Sequence, residues 1–284
     1  MKRFNGSRSN GVMEITTMVG CRHACIYCPQ QVFIKNYHDN KVMSLHQFKR
    51  YLNVIPRHVL IDFSGFSEPS QNPAFSEMVH YTYSRNYSIR VNTTAAGLTK
   101  DDINSFKKVP FTTFAVHLPD NSGKYTNIPC SDEHVQKIKL IEQCGITNLQ
   151  FRVIGRVHPM FKFALKSYIR EMRLFYRAGN LELSDTSDFT MKNDTFHPSK
   201  HKWKKEIKCS RVAGSELNQN VLLPNGDVLL CCMDYGIKSK IGNLESMDYS
   251  ELFNSREYKA IKNGLTEESD IICRSCEAAT LVTT

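Results

Sequence analysis

The sequence predicts an α/β fold, a partial (βα)6 TIM-like barrel over residues 1–187, followed by a small cysteine-rich C-terminal domain with its linker over residues 188–284. Three observations lead to this prediction. From residue 12 to about residue 187, short apolar segments alternate with segments of helical period. A polar and basic stretch at residues 185–208 ends this alternation. Five of the ten cysteines follow that stretch.

The predicted barrel strands are short runs rich in β-branched and aromatic residues. They cover residues 12–17, 58–63, 87–93, 111–117, 149–157 and 181–184. Each connection is long enough for a right-handed crossover, which gives a parallel sheet with helices on one face. Because a closed barrel of this kind needs eight units, a barrel of six units is expected to be about three-quarters closed.

The predicted helices between these strands begin and end at typical capping residues. They cover residues 44–53, 72–85, a segment opening at Thr99, 131–145 and 163–178. Thr99 is a good N-cap residue. Asp132 and Glu133 follow Ser131 and suit the positive end of a helix dipole, and Gly145 ends that helix.

The C-terminal domain contains a strong hairpin signal, because Asn225-Gly226 separates two apolar runs. Two helical segments, residues 249–255 and 257–264, follow the hairpin. The chain then reaches a C-x2-C pair formed by Cys273 and Cys276.

Length and composition indicate a protein with a sizeable core. The chain has 284 residues, of which 41% are hydrophobic, and it contains no apolar run of membrane-spanning length. We therefore expect a soluble, cytoplasmic protein without membrane contact. The formal charge of +9 points weakly to an anionic substrate or partner, and a solvated basic face is the simpler explanation for it. A basic run at residues 200–211 with Trp203 has little aromatic interleaving, so nucleic-acid binding is not the favoured interpretation.

Three cysteines directly follow the first predicted strand at C-x3-C-x2-C spacing, namely Cys21, Cys25 and Cys28. Three thiolates on one loop can hold three irons of a [4Fe-4S] cluster and leave the fourth iron open for chemistry. A structural zinc site normally needs four ligands in two pairs, and about the next hundred residues offer no second pair.

A second set of thiols lies in the C-terminal domain. It consists of Cys209, Cys231, Cys273 and Cys276. A domain this small usually needs a metal or disulfide staple. From spacing alone, tetrahedral zinc fits these four cysteines as well as an iron–sulfur cluster does.

The first motif, with Tyr27 just before its third cysteine, resembles the signature of the radical S-adenosylmethionine (radical SAM) superfamily. Gly226-x4-Cys231, Gly242-Asn243 and the terminal C-x2-C resemble the shortened auxiliary-cluster domain, called twitch, of the SPASM/twitch branch. This resemblance implies two [4Fe-4S] clusters, one binding SAM and one auxiliary, on the two cysteine sets. Cys231 fits the motif, and a slip of the hairpin register would exchange it for Cys232.

The resemblance also implies residues that bind SAM. The segment from Ser64 to Pro69 resembles the Gly-Gly-Glu-Pro loop that receives the methionine ammonium, although Phe66-Ser67 replaces the first two glycines. From this loop, the resemblance implies that Gly65, Glu68 and Pro69 bind the cofactor. It also implies four residues elsewhere: Tyr27 against the cofactor, Asn92 near the ribose, Arg152 at the SAM carboxylate and Gly155 near the adenine.

The function that this resemblance implies is reductive cleavage of SAM to a 5'-deoxyadenosyl radical, which abstracts a substrate hydrogen. In the most similar group, an alcohol of a sugar or aminocyclitol-like molecule is oxidised, with the auxiliary cluster as electron acceptor. Such an oxidoreductase needs a base, for which His117 and Asp185 are candidates, and a reductant such as flavodoxin or ferredoxin. A strand histidine is also common as a core group.

Two other functions remain open from the sequence. Many relatives modify a ribosomal peptide by thioether formation or epimerisation, so the substrate is alternatively a peptide. The other is a zinc-stapled nucleic-acid-binding protein, which predicts colourless protein with steeply salt-dependent affinity.

Overall fold

The computed structural model describes residues 11–23, 25, 28–123, 126–172, 203–211, 216–276 and 278–282. Several predictions concern residues outside these ranges, namely Tyr27, Asp185, the strand at 181–184 and the domain boundary between 187 and 188. These stay predictions.

Six parallel strands form the barrel part, and each pairs with the next one along the chain. They are β1 (Val12–Ile15), β2 (Leu60–Phe63), β3 (Ile89–Thr93), β4 (Thr113–His117), β5 (Leu149–Ile154) and β6 (Ile169–Met172). This arrangement confirms the predicted α/β fold with a partial barrel of parallel strands.

Alternation along the strands separates an apolar outer face from a polar inner face. In β1, Met13 and Ile15 belong to the large hydrophobic core against the helices. Glu14 lies on the other face of β1, and Asp62 occupies the equivalent position on β2. Both carboxylates are buried, so the inner face of the barrel holds charge that needs partners.

Helices cover the outer face. The first helix, α1 (Gln30–Asn36), is an exception, because its Phe33 packs in a separate cluster with Phe66 and Val221. The helices on the outer face are α2 (Leu45–Val54), α3 (Phe75–Ser84), α4 (Lys100–Phe106), α5 (Asp132–Gln143) and α6 (Pro159–Ala164). The predicted caps are confirmed at α4, where Thr99 Oγ1 accepts from the Asp102 N–H at 3.1 Å, and at α5, where Ser131 Oγ accepts from His134. The sequence analysis did not predict α1.

The predicted long helix over residues 163–178 is wrong. The chain forms the short helix α6 there and then turns extended at Leu165, and β6 pairs with β5 in register. Two large side chains of this segment, Phe163 and Tyr168, are more than four-fifths exposed. Backbone pairing with the edge of β5 outweighs the helical period of this segment.

The C-terminal part joins the barrel directly. Its elements are β7 (Ile207–Cys209), β8 (Gln219–Leu222), β9 (Asp227–Leu229), β10 (Lys240–Asn243), α7 (Tyr249–Leu252), α8 (Arg256–Thr266) and β11 (Ala279–Leu281). The predicted hairpin is confirmed as β8–β9, and Gly226 in its turn has φ +86°. The strand β8 pairs in parallel with β1, so the described strands β10, β9 and β8 extend the barrel sheet to nine strands.

No helix within the described ranges is long and apolar enough to cross a membrane.

Candidate active site and metal centres

A cavity of about 690 Å³, including its open mouth, lies at the carboxyl ends of β1 to β4. It is lined by the three cysteines of the first motif, by the loop after β2, and by Asn92 and His117 at the ends of β3 and β4. The carboxyl ends of parallel strands are where barrel folds place reactive groups. Among the predicted site residues, the cavity brings together Cys21, Cys25, Cys28, Gly65, Glu68, Asn92 and His117.

The three thiols of this loop are half-buried. Burial is the main cause that raises the pKa of the Cys21 thiol to about 12, and the nearby Glu68 carboxylate and Cys28 add to it. At neutral pH and without a cation, this thiol is therefore protonated. A metal centre that binds here releases the proton and provides the missing positive charge.

The Glu68 carboxylate is held by four hydrogen bonds. Oε1 accepts from the Ser70 N–H at 3.1 Å, from Ser70 Oγ at 2.6 Å and from Thr93 Oγ1, while Oε2 accepts from the Thr94 N–H at 2.7 Å. These bonds tie the loop after β2 to the end of β3. Since a carboxylate oxygen has two lone pairs, Oε2 retains one acceptor site for a ligand.

Gly65 allows the loop after β2 to pass close to the end of β1. Its φ is +57°, and a Cβ at this position would lie 2.8 Å from the Thr16 nitrogen. The next residue, Phe66, donates its N–H to Thr16 Oγ1 at 3.1 Å. A side chain at residue 65 would therefore be strained and would displace the loop that lines the cavity.

Two buried polar atoms at the cavity have no protein partner within the described chain. They are Oε1 of Gln30 and Oγ of Ser67. Gln30 also approaches the thiol set, because its Nε2 lies 3.5 Å from Cys28 Sγ. Buried polar atoms without partners cost free energy unless a ligand satisfies them, so both atoms suit a polar ligand.

The sequence analysis missed two residues that hold the cysteine loop. His23 is buried, and its ring nitrogens contact the Asn127 carbonyl at 3.1 Å and Thr94 Oγ1 at 2.9 Å. Tyr235 comes from the C-terminal part, and its hydroxyl lies 3.5 Å from Cys28 Sγ. His23 occupies a variable position of the cysteine motif, and Tyr235 is far away in the sequence, so only the tertiary structure shows that both residues hold the loop.

A second, largely apolar cavity of about 560 Å³ lies in the C-terminal part. The four predicted thiols all line it, namely Cys209, Cys231, Cys273 and Cys276. Burial is the main cause that raises the pKa of Cys273 to about 12, and the charges of Cys276 and Cys209 add to it. The pKa of Cys231 is also raised, mainly by burial. Such thiolates need a cationic centre between them.

Cys232 also lines this second cavity, but its environment differs from that of Cys231. Its Sγ lies 3.0 Å from Nη1 of Arg211, and its side chain packs with Tyr235 in an apolar cluster. Cys231 packs instead beside Cys209 and Cys273. Across the described residues, no three His, Cys, Asp or Glu side chains are arranged to hold a single metal ion.

Three predicted cofactor-binding residues do not line the first cavity. Pro69 begins a short 3-10 helix, Pro69–Gln71, and Gly155 donates its N–H to the Met172 carbonyl at 2.9 Å. Arg152 contacts the cavity indirectly, because its Nη1 lies 3.3 Å from Oδ1 of Asn92. The positions of these three residues do not test whether they bind the cofactor, so this stays a prediction.

The C-terminal part matches a known family. Residues 213–277 match SPASM, described as an iron-sulfur cluster-binding domain. No curated protein sequence matches the chain significantly.

Solved structures with the same fold cover nearly the whole chain. BtrN in complex with AdoMet and 2-DOIA is 14% identical with a TM-score of 0.60, over 96% of this chain and 93% of that chain. The anSMEcpe enzyme with bound AdoMet and Kp18Cys peptide is 15% identical with a TM-score of 0.58, over 94% and 86%. Streptococcus suis SuiB bound to S-adenosylmethionine is 15% identical with a TM-score of 0.53, over 94% and 70%.

The fold and the two thiol-lined cavities thus define an α/β partial-barrel protein with a C-terminal iron–sulfur cluster-binding domain. More specifically, the chain has the radical SAM fold with a SPASM-type auxiliary-cluster domain, which confirms the resemblance that the two cysteine motifs indicated.

Proposed function

We propose that this protein is a radical SAM enzyme that oxidises an alcohol of a sugar or aminocyclitol-like small molecule. The arrangement of thiols carries the proposal. Three thiols line an open cavity at the barrel's reactive end, and four others line a second, largely apolar cavity in the C-terminal part. When bound, SAM and the two [4Fe-4S] clusters supply a 5'-deoxyadenosyl radical and an electron acceptor.

The residues of the first cavity fit this cofactor set. Cys21, Cys25 and Cys28 provide three ligands, which leaves one iron position for the amino and carboxylate groups of SAM. Glu68 Oε2 has an acceptor site for an ammonium group, and the Ser67 hydroxyl and Gln30 Oε1 lack partners in the described chain.

His117 is our candidate for the base that accepts the proton leaving the substrate hydroxyl. Converting an alcohol to a ketone removes a hydrogen atom from carbon, a proton from oxygen and one electron. His117 lines the cavity at the end of β4, on the same side as Asn92. The other candidate base, Asp185, lies outside the described residues.

An apolar cluster includes residues that line both cavities. It contains Phe33, Phe66, Tyr235 and Cys232, with Cys28 packed against it. The rings of Phe66 and Tyr235 have centroids 4.5 Å apart. We infer that the electron leaving the substrate crosses this cluster, because Cys28 belongs to one thiol set and Cys232 adjoins the other.

The proposal is tested by anaerobic iron and sulfide analysis of wild type and of the triple variant Cys21→Ala/Cys25→Ala/Cys28→Ala. About eight irons in the wild type and about four in the variant are expected. Incubation with SAM and dithionite should release 5'-deoxyadenosine from the wild type alone. Zinc without iron would instead support the nucleic-acid-binding alternative, which the SPASM match disfavours.

Peptide modification is the second candidate function, because the similar structures include anSMEcpe with Kp18Cys peptide and SuiB bound to its precursor peptide SuiA. Product analysis separates the two functions. A ketone in a small molecule supports alcohol oxidation, and a thioether or an epimerised residue supports the peptide. In the cell, a reductant such as flavodoxin or ferredoxin would provide the first electron.

A further inference from the structure

Arginines lie on the inner face of the barrel, beside the cavity of the cysteine loop. Arg152 on β5 and Arg170 on β6 are directly opposite each other on neighbouring strands, so both side chains leave the same face. His117, which lines the cavity, is the neighbour of Arg152 on β4. The two arginines therefore border the proposed reaction site at a distance of one to two strands, about 5–10 Å.

A third arginine on this face, Arg90 on β3, is already neutralised. Its Nε and Nη2 atoms both lie 2.7 Å from Oδ2 of Asp62. The other oxygen of Asp62 accepts from Asn92 Nδ2 at 3.0 Å. Because both oxygens of this buried carboxylate are engaged, Asp62 has little capacity left to neutralise a second arginine.

Arg152 has no such partner. Its Nη1 lies 3.3 Å from Oδ1 of Asn92, and its Nη2 donates to Oε1 of Gln150 at 2.7 Å, so both partners are uncharged amides. Its Nε is buried and has no hydrogen-bond partner in the part of the chain that the structure describes. Burial, together with the charges of Arg170 and Arg90, lowers the pKa of Arg152, and the attraction of Asp62 opposes this only in part.

The pair Arg152–Arg170 thus places two like charges opposite each other, an arrangement that destabilises a sheet unless an anion lies between them. Within the described ranges, no carboxylate forms an ion pair with either residue. The planar N–H fork of a guanidinium matches a carboxylate or a phosphate and binds it with two parallel hydrogen bonds.

We propose that the substrate carries an anionic group, a carboxylate or a phosphate, which binds between Arg152 and Arg170, so that Arg152 serves the substrate instead of the SAM carboxylate that the sequence resemblance assigned to it. This inference rests on the proposed function and narrows its substrate class. The anion satisfies Arg152 Nε and removes the repulsion between the two guanidinium groups. The hydroxyl-bearing carbon of the same molecule then lies toward His117 and the radical. A sugar phosphate or sugar acid fits this arrangement, whereas the arginines repel the ammonium group of an aminocyclitol.

The test is calorimetric titration of the anaerobically reconstituted protein, with SAM present, against glucose 6-phosphate, gluconate, glucose and glucosamine. At least one of the two anionic probes is expected to bind about tenfold or more tightly than glucose, and glucosamine is expected to bind most weakly. The two anionic probes distinguish a phosphate from a carboxylate as the preferred group.

Substitutions then locate the binding site. Arg152→Gln and Arg170→Gln are each expected to weaken binding of the anionic probe by roughly tenfold or more, because each removes charge-assisted hydrogen bonds. Arg170 is exposed, so its substitution disturbs little packing. The matched control is Arg85→Gln, an exposed arginine at the end of α3, which should bind like the wild type.

Two results would overturn the inference: neither anion binds more tightly than glucose, or both barrel variants bind the anion as well as Arg85→Gln does. The proposed function is checked separately by release of 5'-deoxyadenosine from wild type with SAM and dithionite and no probe. If the nucleoside forms but the anion preference is absent, only the substrate class is wrong. If no nucleoside forms, the radical reaction itself is wrong.

Discussion

The hydroxyl of Tyr235, in the C-terminal part, lies 3.5 Å from Sγ of Cys28, a predicted ligand of the first cluster. Tyr235 is almost fully buried, and its ring packs against Phe66 on the loop after β2. A contact between residues 207 positions apart thus links the SPASM-type part to the thiols at the barrel mouth.

Tyr235→Phe is expected to lower the reduction potential of the first cluster. A hydroxyl that donates to a thiolate stabilises the more negative, reduced cluster, so its removal favours the oxidised form. A hydrogen bond worth about 1 kcal/mol corresponds to about 40 mV for a one-electron couple. Redox titration followed by electron paramagnetic resonance measures the shift.

The control for this substitution is Tyr37→Phe. Tyr37 packs in the same apolar cluster, but its hydroxyl donates to the Asn40 carbonyl at 2.7 Å. Equal potentials for the two variants would show that the Tyr235 hydroxyl has no influence on the cluster.

Cys231→Ala and Cys232→Ala are expected to differ in iron content. Cys231 lies beside Cys209 and Cys273, so its loss should remove a ligand and about four irons. Cys232 contacts Arg211 and the apolar cluster, so Cys232→Ala should retain the iron of the wild type. Iron and sulfide analysis measures both, and loss of the second cluster from Cys232→Ala alone would exchange the two assignments.

Gly65→Ala is expected to destabilise the fold more than Gly123→Ala does. Both glycines have positive φ, +57° and +63°, so both variants incur backbone strain of about 1 kcal/mol or more. Only at Gly65 would the new Cβ also contact backbone, 2.8 Å from the Thr16 nitrogen, whereas nothing lies within 4 Å at Gly123. Urea denaturation compares the free energies of unfolding, and equal losses would rule out the close contact as a cause.

Acid is expected to destabilise the protein through His134. Burial, with smaller effects of Lys137 and His23, lowers its pKa from about 6.5 to about 4. Because the folded state favours the neutral imidazole, this contribution to stability is complete above the unfolded pKa and is lost as the pH falls from about 6.5 toward 4. The shift corresponds to up to about 3 kcal/mol.

Urea denaturation at several pH values between 7 and about 4 measures this loss. His134→Leu should reduce the pH dependence, since the new side chain cannot bind a proton in either state. His46→Gln, at an exposed histidine of α2, should leave the pH dependence as in the wild type. A His134→Leu variant with unchanged pH dependence would assign the acid sensitivity to other groups.

The sequence predicted the features that depend on local chemistry. Helix caps at Thr99 and Ser131, the turn at Gly226 and the thiol spacing are each set by a few neighbouring residues. Long-range strand pairing explains why a helix was predicted where the chain forms the strand β6. β6 forms because the edge of β5 offers it a partner, and this overrides the helical period of the segment.

The candidate site shows the same division. Glu68 and Asn92 were predicted from short motifs and lie in the cavity. His23 and Tyr235 have no sequence signal, because their partners are at least 71 positions away. The unpaired state of Arg152 likewise depends on which carboxylate Arg90 engages.

The parallel pairing of β8 with β1 makes the two ends of the described chain mutually dependent during folding. Until β8 is made, one edge of β1 is unpaired and exposed to aggregation with other chains. Contacts of such large sequence separation form late and slow the folding rate. We therefore expect the barrel and the C-terminal part to unfold in one cooperative transition. We also expect a barrel fragment without β8, like the incomplete chain during biosynthesis, to be prone to aggregation.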